Sequence, residues 1–204
     1  MRDRLDPRLR SFLARLPLAT GLAILLWFAL LSRPWGAFVT RTSEAWIRLA
    51  ERTKVTRLAY EDGLVVVRRA DLSSRSDTPA FPAASVTANL VLLLGLLSAT
   101  PRPLRAPAFA ARAAAALLAL LVTQVLHLSF AVQTIYATQL GDWSAVAWPR
   151  WQREVVATGR YFFDIVGKYA LPFVFWALAL RLGETDAEKP DAAPARGRRR
   201  RKKG

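Results

Sequence analysis

Residues 108–132 read AFAARAAAALLALLVTQVLHLSFAV, and this stretch decides the fold. Arg112 is its one formally charged residue, and the uncharged run beyond it reaches Asp142, 29 residues in all. A bilayer core of about 30 Å is crossed by about 20 mostly apolar residues in a helix. Two further stretches are built alike: 24 uncharged residues lie between Asp77 and Arg102, and 17 between Arg15 and Arg33. A fourth, about Tyr161 to Leu180, is apolar but contains Asp164 and Lys168. The expected fold class is an all-α membrane protein with four transmembrane helices and a small outer segment containing a β-hairpin.

Composition narrows the function. The chain has 204 residues, 53% of them hydrophobic, with 30 Lys and Arg against 15 Asp and Glu. That apolar content excludes a disordered chain, and its distribution in long blocks argues against a soluble enzyme. There is no cysteine, so disulfides, cysteine metal sites and cysteine nucleophiles are excluded.

Residues 1–15 read as a basic amphipathic helix on anionic headgroups or as a solvated lead-in. Asp6 suits the N-cap, Pro7 the first helical position, and Leu5, Leu9, Phe12, Leu13 and Leu16 recur at helical spacing. The first span covers 16–39. No small-x-small cleavage site follows its core, so a signal anchor fits better than a cleaved signal peptide. Residues 40–80 form a polar outer segment, with a short helix near 43–52 carrying Trp46, Ile47, Leu49 and Ala50 toward the membrane. A hairpin over 55–69 turns at Asp62-Gly63, and a loop covers 72–79. Span two covers 81–100, with Pro82 in its first turn, and 101–107 is a tight basic turn. Span three covers 108–132, and its entry Ala113–Ala116 would admit a close neighbouring helix. A polar loop spans 133–160, span four 161–180, and 181–204 is a disordered basic tail.

Four spans place both ends on one side. Arg2, Arg4, Arg8, Arg10, Arg15, Arg102, Arg105 and the basic tail assign that side to the cytoplasm. Trp35, Trp46, Trp143, Trp148 and Trp151 then form an outer interfacial belt. Seven Lys and Arg fall within Arg196–Lys203. Anionic lipid is the expected partner of this run; nucleic acid is disfavoured because no folded nucleic-acid module precedes it.

Polar residues within spans are costly and call for a reason. By topology Asn89, Gln124, His127, Asp164 and Lys168 all fall in the outer half, with Ser85 nearby. The expected picture is a small polar cavity open to the outer face above a dry plug. Asp164 and Lys168 have the favourable i, i+4 order for an ion pair, or form a snorkelling interfacial pair. His127, Asn89 and Gln124 serve equally as interhelical hydrogen bonders. A triad of Ser85 or Ser129 with His127 and Asp164 is conceivable, though spacing does not support it. One histidine without cysteine cannot build an ordinary transition-metal site. No catalytic residue, cofactor or metal is expected.

The stretch Thr87–Arg102, TANLVLLLGLLSATPR, preceded by Tyr60–Val67, YEDGLVVV, resembles the membrane proteins that accompany exosortase H, an enzyme of bacterial surface-protein sorting. The likeness covers about residues 15–180. Exosortases cleave sorting signals with a cysteine nucleophile, which this chain lacks. The resemblance therefore implies an accessory subunit of a Gram-negative inner membrane, with an exosortase or its exported substrate as partner and no transferable catalytic residue. The alternative is a small transporter or channel component using the outer polar layer, which would need oligomerisation.

Overall fold

The computed structural model describes residues 6–51, 54–70, 79–101 and 107–181. The expected disordered tail, the core of the basic turn and most of the 72–79 loop lie outside these residues, as do residues 1–5.

The described chain is mostly helical. It opens with α1, Pro7–Leu26, which passes through a π-helical segment, Trp27–Leu31, into α2, Ser32–Ala50. A three-stranded antiparallel sheet follows, β1 Thr56–Glu61, β2 Leu64–Arg69 and β3 Ala80–Pro82, in the order β1-β2-β3. One turn of helix, α3 Ala84–Thr87, leads into α4, Asn89–Ala99. The long α5, Pro107–Thr138, returns toward the sheet. Then come α6, Asp142–Ala147, α7, Arg150–Phe162, a second π segment, Phe163–Ala170, and α8, Leu171–Arg181. Three continuous helices, Leu9–Ala50, Ala108–Thr138 and Arg150–Arg181, are long and apolar enough to cross a membrane.

The apolar helix Ala84–Ala99 is shorter. At 1.5 Å per residue it measures about 24 Å, less than the roughly 30 Å of a hydrocarbon core. Its expected first turn is not helical: Phe81 and Pro82 pair with Val65 and Leu64 as β3. Proline has no N–H to donate, which suits a short edge strand as well as a helix start.

Several boundaries differ from the sequence reading for one reason. Polar residues do not break a helix that finds a surface to pack on. The 40–50 region is no separate helix: α2 runs on to Ala50, burying Ile47 while Trp46 and Leu49 stay exposed. The presumed loop 133–160 is largely helical, because α5 continues to Thr138 and α7 begins at Arg150.

Both π segments precede a proline. Pro34 and Pro172 cannot donate to the carbonyls four residues earlier, Leu30 and Lys168. The ladder widens instead: Ser32 N–H bonds the Trp27 carbonyl and Leu171 N–H the Val166 carbonyl, each five residues back.

The hairpin turns at Asp62 and Gly63, with φ of +48° and +83°, the left-handed pair a two-residue turn requires. The outer edge of β1 lies against α2, and carboxylates of α2 and of the residue that caps it occupy that edge. Glu51 accepts from Thr56 N–H at 3.1 Å and Glu44 from Leu58 N–H at 3.3 Å. Glu51 also accepts from the Thr56 hydroxyl. The β3 edge is three residues long and flanked by Pro79 and Pro82. Both edges are thus blunted against pairing with another strand.

Two apolar cores result. At the sheet end, Val39, Ile47, Leu58, Val65, Val67, Val86, Leu128, Val132, Ile135 and Tyr136 pack together. At the far end, Trp27, Leu90, Leu93, Leu97, Phe109, Ala116, Leu120 and Ala179 do the same. Around the far core the outward faces are also apolar: Leu18, Leu22, Leu25, Phe28 and Leu30 are exposed on the first helix. That surface suits a hydrocarbon surrounding rather than water.

Candidate functional site

Between the two cores lies a layer of polar side chains from every long helix. Gln124 of α5 is its centre and is fully buried. Its carbonyl accepts from Trp35 Nε1 at 2.8 Å. Its amide nitrogen donates to Asn89 Oδ1 at 2.6 Å and to the Thr87 carbonyl at 3.3 Å. Both amide protons and the carbonyl are therefore used. Asn89 in turn donates from Nδ2 to the Gly167 carbonyl at 3.3 Å.

Gly167 needs that donor. Its α-helical partner would be Leu171 N–H, which is taken by Val166. Its π-helical partner would be Pro172, which has no N–H. The Asn89 side chain supplies the missing hydrogen bond, so a proline on one helix accounts for an asparagine on another.

The second half of the layer centres on Asp164. His127, one turn beyond Gln124 on α5, brings Nε2 within 3.1 Å of Asp164 Oδ1. A carboxylate only accepts, so the imidazole donates from Nε2. Lys168 Nζ lies 3.3 Å from the same oxygen, and Arg160 Nε lies 3.5 Å from Oδ2. His127 stacks on Phe163 at 5.8 Å between ring centroids. His127 is buried, whereas Asp164 and Lys168 are partly exposed.

The five residues singled out from the sequence are thus brought into two adjoining sets, Asn89 with Gln124, and His127 with Asp164 and Lys168. The expected open polar cavity is not what they make. Asn89, Gln124 and His127 are buried and bonded across helices, because pairing with one another satisfies them without water. The imagined serines are elsewhere. Ser129 donates to the Val125 carbonyl at 2.7 Å and Ser85 to the Pro82 carbonyl at 2.7 Å, so neither hydroxyl is directed at His127. Among the described residues no group of three His, Cys, Asp or Glu could hold a metal.

Sequence reasoning missed three contributors. Trp35 is expected in an interfacial belt, but its indole N–H belongs to the buried layer. The belt is further divided: Trp143 and Trp148 pack against the sheet-end core, and Trp46 and Trp151 are exposed. Arg69 lies over the rings of Tyr136 and Trp143, 4.8 and 4.6 Å from their centroids. Arg160 falls at the end of the expected polar loop, although its i, i+4 spacing to Asp164 is a usable signal. The Gly167 carbonyl was foreshadowed by Pro172.

The alanine-rich entry of α5 meets other helices through one face: Ala116 enters the far core and Ala113 packs against it, while Ala114 and Ala115 are exposed. Tight contacts also occur at glycines. A Cβ on Gly95 would sit 3.0 Å from Thr20 Oγ1, and one on Gly159 would sit 2.4 Å from the Phe130 ring.

The fold and the layer define a helical protein with the makeup of a membrane protein, whose inward-facing polar groups tie helices together. Compared with protein-family models, curated proteins and solved structures, the chain matches none.

Proposed function

We propose that this chain is a non-catalytic accessory or scaffold subunit in a bacterial inner membrane, working with a sorting enzyme of the exosortase type that its sequence resembles. The observation that carries this reading is the Gln124 network. Trp35, Asn89 and Gln124 are spent on one another, and the hydroxyls of Ser85 and Ser129 bond backbone carbonyls and not His127.

In this reading Ala84–Ala99 is the fourth crossing. It is shielded by α1, α5 and α8, which supports a central place in the bundle, and a thinned bilayer accommodates its length. The sheet end is periplasmic and both termini are cytoplasmic, in keeping with the arginines near the start and the basic tail. The transport alternative fares less well, because Leu93, Leu97, Leu120 and Trp27 fill the bundle directly beyond the polar layer.

Affinity capture of the full chain from native membranes in mild detergent tests the reading. Co-purification of a cysteine-dependent sorting enzyme or its exported substrate is expected. A chain that purifies alone, while His127→Ala abolishes an activity of the isolated protein, would overturn it. A periplasm-active reporter fused after Gly204 should stay silent.

A further inference from the structure

On one side of the bundle an apolar groove runs between three helices. Leu31, Trp35 and Phe38 form one wall, Leu117, Leu118 and Leu121 the other, and Leu90 and Leu94 the floor. Its volume is about 380 Å³ and no polar surface is exposed in it. Trp35 could have made one wall polar, but its N–H is committed to Gln124 at 2.8 Å. The polar layer therefore keeps this groove dry.

From Leu31 to Phe38 the wall is about 10 Å long, about two turns of helix, and every side chain lining the groove is apolar. Such a lining suits hydrocarbon chains. Arg41 is exposed on α2, three residues beyond Phe38 and hence one turn nearer the sheet end on the same face. A guanidinium at that end suits a phosphate, which it holds with paired N–H donors.

We propose that the groove is a binding site for one phospholipid, with an acyl chain between α2, α4 and α5 and its phosphate at Arg41. The occupant is a bilayer lipid and not a partner's transmembrane segment, given the wholly apolar lining and the exposed cation one turn beyond it. This requires only that the chain sits in a bilayer. It stands or falls independently of the sorting partner.

The test is native mass spectrometry of the full chain extracted from membranes in mild detergent, with a phosphatidylglycerol and phosphatidylethanolamine mixture added back. Wild type should retain one phospholipid. Leu118→Trp, on an exposed wall where folding is undisturbed, should lower that occupancy about tenfold. Arg41→Gln should remove the preference for phosphatidylglycerol while leaving an acyl chain bound. Phospholipids brominated along the chain should quench wild-type tryptophan fluorescence more than that of Trp35→Phe. Equal lipid retention in wild type and Leu118→Trp, or a co-purifying polypeptide that Leu118→Trp displaces in place of lipid, would overturn the proposal.

Discussion

The two apolar cores are of similar size and of different kind. At the sheet end, buried valines and isoleucines come from helices and strands, and the strands carry ion pairs outward, beside exposed apolar residues such as Leu49 and Val146 on the helices. Arg68 pairs with Glu61 at 2.8 Å, and Arg57 with Glu44 at 3.5 Å. At the far end, leucines meet leucines, and the side chains facing outward are as apolar as those within. The sheet, with its outward ion pairs, is organised as a protein in water, where apolar burial is the driving force. The far end has no such gain if lipid surrounds it, because hydrocarbon tails are as apolar as leucine, and van der Waals packing must hold it. The polar layer sits at the junction, where cross-helix hydrogen bonds add direction to packing that has little of its own.

This contrast can be broken by matched truncations. Ile135→Ala in the sheet-end core should cost about 2–5 kcal/mol. Leu93→Ala in the far core should cost about half as much, since only the cavity contributes there. Equilibrium unfolding in mixed detergent micelles measures both, and equal losses would mean that the two ends do not differ in surroundings.

The junction is tested next. Gln124→Leu should destabilise by about 2–3 kcal/mol, because Trp35 and Asn89 both lose a buried partner. A double-mutant cycle with Asn89→Ala should show coupling of about 0.6–1.7 kcal/mol. Additive effects would dissolve the network into unrelated contacts.

A smaller effect sharpens the sheet-end picture. Glu51→Ala should cost about 1 kcal/mol, by freeing the Thr56 N–H at the β1 edge. Faster amide exchange at Thr56, with the far-end helices unchanged, is the expected signature.

Smallest is Asp164→Asn. Arg160 and Lys168 are about as exposed as the carboxylate itself, and the asparagine oxygen can still accept from the buried His127, so the loss should be under about 1 kcal/mol and shrink further in high salt. A large, salt-independent loss would place Asp164 in the rigid part of the layer beside Gln124.

Much of the local structure was legible in the residues. Uncharged blocks announced long helices, Asp62-Gly63 announced the turn, and the spacing of Asp164 and Lys168 announced their contact. The long-range partners were not legible. Nothing local joins Trp35 to Gln124, 89 residues apart, or Asn89 to the Gly167 carbonyl, 78 residues away. Phe81 and Pro82 suited a helix start as well as a strand, and β2 decided the matter by offering an open edge.

Sequence alone determined which segments are too apolar for water and where the Asp62-Gly63 turn falls, because both follow from side-chain and backbone chemistry within a few residues. Tertiary structure alone decided what each disturbed or buried polar group bonds to. Desolvation makes an unpaired carbonyl or amide expensive wherever it lies, but the group that relieves it is set by which helices pack together, and that is a property of the whole chain.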